Sequence, residues 1–210
     1  NISISSSATS LGSDVHIVAE RILEGETYGV PSELAQYEVN IKRLVDEIHQ
    51  TYPTDAFVEE KVTVPLKSLL TTDVDLSFSG KIDAVFKNER EEYLIVDWKT
   101  NRNTNNASEH RQQLSAYKKA FSIKHHISFD NIKVAIGYIG LRKIIDDGII
   151  GTELDRRQPS ASSFDTFNKH VQIFLSWKKD VDVFFKELSE VRDDDVLLRS
   201  ILEQYDLEKI

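Results

Sequence analysis

Ser79–Lys99 reads SGKIDAVFKNEREEYLIVDWK, and two alternating runs inside it decide the fold. From Ser79 to Lys87 apolar and polar residues alternate, with Ile82, Ala84 and Phe86 on one side and Lys81, Asp83 and Lys87 on the other, which is the period of a β-strand. The alternation resumes from Glu92 to Thr100. There Leu94, Val96 and Trp98 share one face, and Asp97 and Lys99 share the other with Tyr93 and Ile95. The polar stretch Asn88–Glu91 between the runs suits a turn, so the whole reads as a hairpin. Residues directly opposite one another point to the same side of a sheet. For the even-numbered apolar side chains of both strands to share a face, paired residue numbers must sum to an even number. That requires an odd loop such as Glu89–Glu91, or a bulge. The same register brings Asp83 onto the face of Asp97 and Lys99, whereas a slip of one residue buries the charges and exposes the apolar set.

Two clustered carboxylates suit a hard divalent cation, because Mg²⁺ and Mn²⁺ prefer oxygen ligands and are often held by one or two carboxylates plus phosphate oxygens. A lysine two residues beyond the second aspartate lies on the same face, within reach of a phosphate or a water. Metal, water and ammonium together suit phosphodiester hydrolysis. Read alone, these three residues fit an ordinary solvated strand face equally well.

The composition is that of a soluble globular protein of 210 residues with a formal charge of −9. That acidity argues against a general nucleic-acid coat. The charge is uneven, however: Lys99, Arg102, Arg111, Lys118, Lys119 and Lys124 outnumber Glu109 between Trp98 and His126. Such a strip could guide a phosphate backbone, or simply be a solvated helix face. The absence of cysteine excludes a disulfide framework, a Cys-based zinc site and a cysteine-ligated iron–sulfur cluster, and fits a cytoplasmic location. No apolar run approaches the ~20 residues that span a bilayer, so no membrane partner is expected. NISISSSATS lacks the basic start of a secretory signal. A chain that begins with Asn and contains no Met reads as a piece of something longer.

Residues 1–10 are expected to be flexible, and 11–210 to form a single domain with a core over about 11–141 and a helical part over about 164–208. A helix is expected from Leu11 to Gly25, capped by Ser13 or Asp14, with His16 and Glu20 on one face. In isolation His16 suits a partly buried core histidine. A second helix follows over 32–50, then a strand over 56–66 in which Glu59 or Glu60 could face the carboxylate site, although a structural or surface role is the preferred reading of both. After the hairpin, NRNTNN (101–106) is a loop and Ala107–Phe121 a helix that puts Gln113 and Tyr117 one turn apart. Without further context Gln112 and Gln113 read as surface amides. IKVAIGYIGL (132–141) resembles a strand covered on both sides. Residues 143–163 read as irregular, Phe164–Val191 as a long aromatic core helix, and Asp193–Leu207 as an acidic amphipathic helix. There is no Walker A, GxGxxG, GxSxG or HExxH pattern.

The ordered set His16 in GSDVH, Asp83 in GKID, Asp97 and Lys99 in DWKT, and Gln113 and Tyr117 in QLSAY resembles the RecB-type branch of the PD-(D/E)xK nucleases, over about residues 11–141. The pattern looks most like the C-terminal nuclease domain of UvrD/Rep-family helicases, RecB/AddA-like. The proline of the family name is absent, Ile82 standing before Asp83, as is usual in that branch. The resemblance implies an α/β fold with a restriction-endonuclease-like core: a central mixed β-sheet flanked by helices, with extra N- and C-terminal helices. It implies that His16, Asp83, Asp97 and the Trp98 backbone carbonyl are ligands of Mg²⁺ or Mn²⁺. Lys99 would orient or activate the attacking water, Gln113 and Tyr117 would support the lysine and contact DNA, and Thr100 would stand behind them.

The implied activity is metal-dependent exonucleolytic hydrolysis of DNA, single strands preferred, in end processing, repair and recombination. The implied partner is a helicase motor in the parent chain or in another subunit. Arg102, Arg111, Lys118 and Lys119 would contact the backbone of the strand. The alternative is a catalytically weak domain of the same fold serving as the DNA-binding scaffold of a helicase complex. An endonuclease reading would need a duplex-reading element that the sequence does not offer.

Overall fold

The computed structural model describes residues 8–26, 29–142 and 150–191. The order of elements is α1 (Ala8–Leu23), α2 (Ala35–His49), β1 (Thr54–Pro65), α3 (Leu66–Leu69), β2 (Ser77–Lys87), β3 (Tyr93–Lys99), α4 (Ala107–His125), β4 (Ile132–Arg142), β5 (Ile150–Asp155) and α5 (Ala161–Val191). The five strands form one sheet in the order β1-β2-β3-β4-β5. Only β3 and β4 run parallel, joined through α4; the other neighbours are antiparallel. This is a central mixed sheet flanked by helices, the restriction-endonuclease-like α/β arrangement, with α1 and α5 as the added N- and C-terminal helices.

The hairpin has the deduced register. Ala84 pairs with Val96, Val85 with Ile95, Phe86 with Leu94 and Lys87 with Tyr93. Asn88 N–H donates to Glu92 C=O at 3.1 Å, which closes the three-residue loop Glu89–Glu91. Glu91 sits at φ 58°, the left-handed position that ends such loops. The Asn88 side-chain oxygen accepts from the backbone N–H groups of Arg90 and Glu92, both at 3.0 Å, and so supplies the turn chemistry without a glycine.

The alternation therefore delivers two cores. Ala84, Phe86, Leu94, Val96 and Trp98 pack with Val15, Val18, Leu34, Ile41, Leu44 and Ile48 of the N-terminal helical layer. On the other side, Phe121 of α4 meets Tyr93 and Phe57, ring centroids 5.9 and 5.6 Å away. β4 is buried along most of its length, as a strand covered on both faces must be.

Several boundaries differ from expectation. α1 begins at Ala8, so Ser13 and Asp14 lie inside the helix and do not cap it, and Ala8–Ser10 are helical. A 3₁₀ turn, Ser32–Leu34, precedes α2. β5 occupies part of the stretch read as irregular; Gly151 and the short run conceal it, and its place is set by pairing with β4, Ile136 opposite Asp155. α5 is not a core helix: Ile173, Phe174 and Trp177 are 67%, 52% and 53% exposed. Helical periodicity shows that an apolar face exists, not that the chain covers it. Two compact units divide the chain, residues 1–165 and 166–210. Asp193–Leu207 lies outside the described residues.

Candidate metal and phosphate site

The β2–β3 ladder stops at Ala84–Val96, and the next residues turn their polar groups to a common point. Continued by one step, the register sets Asp83 opposite Asp97. The Trp98 N–H, freed from the ladder, donates to Asp83 Oδ2 at 2.7 Å. From α1, His16 places Nδ1 3.3 Å from Asp83 Oδ1 and Nε2 3.1 Å from the Trp98 carbonyl oxygen. A carbonyl only accepts, so Nε2 carries a proton here. Burial alone would lower the His16 pKa; the hydrogen bond and charge of Asp83, with Asp97 behind it, raise it above its ordinary value. His16, Asp83 and the Trp98 carbonyl thus meet.

Asp97 and Lys99 stand beside them. The Lys99 ammonium donates to Asp97 Oδ1 at 3.0 Å and lies 2.7 Å from Oδ2, at an angle that leaves Oδ2 buried without a hydrogen bond. Burial lifts the Asp97 carboxyl to about 6; the Lys99 charge opposes that rise and the Asp83 charge adds to it. Two buried carboxylates side by side, answered by one ammonium, favour further positive charge.

One residue that the sequence reading set aside enters the site. Glu59 of β1 lies with His16 and Asp83 so that one ligand atom from each falls within 4.8 Å of the others. Glu59 has φ 53°, a left-handed conformation rare for a residue with a side chain in a strand. Backbone strain of this kind gathers at functional sites. Its carboxylate also pairs with Lys81. A cavity of about 440 Å³ opens there, lined by Ser13, His16, Glu20, Glu59 and Lys81 among others. No motif marks Glu59, because its approach depends on a backbone angle and not on a spacing.

The donor set fits a divalent cation: an imidazole, carboxylates, a backbone carbonyl and the buried Asp97 Oδ2, which accepts no hydrogen bond. Oxygen-rich ligation of this kind suits Mg²⁺ or Mn²⁺, and the imidazole favours the latter.

Gln113 and Tyr117 come together across one turn of α4, with Gln113 Nε2 donating to the Tyr117 hydroxyl at 2.9 Å. Their hydrogen bond is to each other; that of Lys99 goes to Asp97. The Tyr117 ring lies over Gly80, where a Cβ would stand 2.4 Å from its Cε1. The glycine of GKID is therefore the floor on which Tyr117 rests. The Thr100 backbone carbonyl lies so near Gly140 that a Cβ there would come within 2.4 Å of it.

Two of the cations expected to hold DNA are engaged internally. Arg111 pairs with Asp155 at 3.0 Å, and the Lys119 ammonium donates to the Leu69 carbonyl at 2.6 Å. Their partners lie on β5 and α3, neither of which was expected, and no spacing marks these contacts.

A family model described as the PD-(D/E)XK nuclease superfamily matches residues 3–184. No curated protein matches the chain. Nucleases of this superfamily generally depend on divalent metal ions, and the fold implies DNA as the substrate. No described helix is long and apolar enough to cross a membrane. The match spans the sheet, the helices on both of its faces and every residue of the site just described, and the chain belongs to the PD-(D/E)XK nuclease superfamily.

Proposed function

We propose that this chain is the exonuclease domain of a RecB/AddA-like helicase-nuclease: a cytoplasmic, Mg²⁺- or Mn²⁺-dependent deoxyribonuclease that shortens single strands during DNA end processing, repair and recombination. A UvrD/Rep-type motor, in the same chain or a partner subunit, would deliver the strand. The observation that carries the reading is the meeting of His16, Asp83 and the Trp98 carbonyl, brought from elements up to 82 residues apart, beside the Asp97–Lys99 pair.

His16, Asp83, Asp97 and the Trp98 carbonyl would hold the cation, with Glu59 as a further carboxylate. A divalent ion there would neutralise the scissile phosphate and make bound water acidic. The chain does the rest. The Trp98 N–H and His16 orient Asp83. Asp97 holds the Lys99 ammonium at the edge of the site, where it stabilises charge building on the phosphoryl oxygens and orients the attacking water. Tyr117, seated on Gly80 and bonded by Gln113, guides the strand to that point.

The test compares linear single strands labelled at either end with a covalently closed single-stranded circle, in Mg²⁺, Mn²⁺ or EDTA. Shortening of the linear strand alone, abolished by EDTA, is expected. Cleavage of the circle would overturn the exonuclease reading. Blunt duplex should be degraded only when a helicase unwinds it, and duplex degradation without one would remove the need for a motor.

A further inference from the structure

A cavity of about 660 Å³ lies away from the metal site, between α4 and residues 159–165. Ser115, Lys118, Lys119 and Ser122 give it a stripe along one side of α4, at the i, i+3, i+4, i+7 spacing of a helix face. Two aromatic rings complete it. The Lys118 ammonium sits 3.9 Å from the centroid of Phe129, and the Lys119 ammonium 4.4 Å from that of Phe164. Phe129 is 47% exposed, so much of its ring remains open to a ligand. Burial lowers the pKa of both lysines, and the Lys133 charge lowers that of Lys118 further. Lys119 is held by the Leu69 carbonyl, which leaves the half-buried Lys118 ammonium as the cation open to an anion.

We propose that this groove is a second subsite for single-stranded DNA, in which a base stacks on Phe129 and the adjoining phosphate pairs with Lys118. Alternating aromatic faces and ammonium groups are the chemistry by which proteins hold single strands without reading their sequence. The proposal rests on the reading of the chain as a DNA nuclease. Gln113 and Tyr117 lie on another face of α4, Tyr117 over Gly80 of β2, while Ser115, Lys118 and Ser122 line the groove from the same helix. One helix thereby carries both the groove and the tyrosine proposed to guide the strand. In a chain of charge −9, the Lys118 ammonium beside the Phe129 ring gives the strand a hold that the whole surface does not.

The test measures fluorescence anisotropy of labelled thymidine and abasic oligomers of equal length and charge, in EDTA, with the full chain. For the wild type the thymidine oligomer should bind more tightly. Phe129→Ala should weaken thymidine binding by about 5- to 150-fold, the range of one lost stacking contact, and leave abasic binding unchanged. Lys118→Gln should weaken both alike and reduce the salt dependence. Phe129 is half exposed, so its substitution does not threaten the fold. Thymidine affinity that ignores Phe129→Ala would overturn the subsite. So would an oligoglutamate peptide that competes as well as the thymidine oligomer, or thymidine monophosphate that displaces it at equal concentration. Cleavage of the thymidine oligomer by the wild type with Mn²⁺ is followed in parallel. Cleavage with Phe129-independent binding removes the subsite and spares the nuclease reading, whereas Phe129-dependent binding without cleavage does the reverse.

Discussion

Gly80→Ala tests how the GKID stretch seats Tyr117. The new Cβ would stand 2.4 Å from Tyr117 Cε1 and 3.3 Å from Cδ1 and Cζ. Ordinary carbon contacts begin near 3.5 Å, so the ring must withdraw by about 1 Å. α4 cannot retreat with it, because Leu114, Ala116 and Phe121 on either side are buried in the core. The ring must rotate instead, away from Phe78, whose centroid is 6.3 Å distant, and from the 2.9 Å bond with Gln113. Overpacking of this kind costs about 1–3 kcal/mol. Replacing glycine restricts the unfolded chain and returns about 0.4–1 kcal/mol. The net expectation is a loss of about 1–2 kcal/mol in urea denaturation at unchanged slope. In a Tyr117→Ala background the Cβ has nothing to strike, so the same change should become neutral or stabilising, with a coupling energy of about 1–3 kcal/mol. An equal cost in both backgrounds would refute the reasoning.

Other expectations follow from the same contacts. Asp155→Ala should destabilise the fold by about 3–5 kcal/mol in urea titrations, because it strands Arg111, whose side chain is 16% exposed. Burial would raise the Asp155 carboxyl, but Arg157 and Arg111 hold it below its usual range. Its stabilisation is therefore present above the unfolded pKa of about 3.9. It is lost as pH falls through the depressed folded value, and the variant's pH–stability curve should be flatter in that window. Glu59→Gly should leave stability in EDTA unchanged or higher, since glycine accepts φ 53°. It should weaken Mn²⁺ binding in calorimetry by about tenfold or more, if a first ligand counts for at least as much as an outer partner. Gly137→Ala would set a Cβ 2.3 Å from the Trp98 ring, and should lower the midpoint of thermal unfolding by several degrees.

The hairpin was legible because period two leaves only one register that buries Phe86, Leu94 and Val96 together, and that register carries Asp83 to Asp97 without further assumption. His16 was legible only through motif order; alone it is a half-buried histidine on a helix. Glu59 was legible only as one of two glutamates that could face the site, and the left-handed backbone angle that sets it apart is encoded by no side-chain pattern. β5 escaped notice because strand formation there depends on the β4 edge and on Asn40, whose amide donates to the carbonyls of Ile139 and Gly151 at 2.9 and 3.3 Å. The aromatic face of α5 misled for the opposite reason: its periodicity is strong, but periodicity names no partner.

The most direct test of the central claim is metal-dependent cleavage of end-labelled single-stranded DNA by the wild type, Asp97→Ala and Lys99→Ala, with circular dichroism to show that all three are folded. The account predicts cleavage in Mg²⁺ or Mn²⁺, none in EDTA, and near-complete loss in both variants while DNA binding persists. Cleavage that survives Asp97→Ala would contradict the assigned site, and a folded, DNA-binding wild type that cleaves with neither metal would contradict the assigned activity.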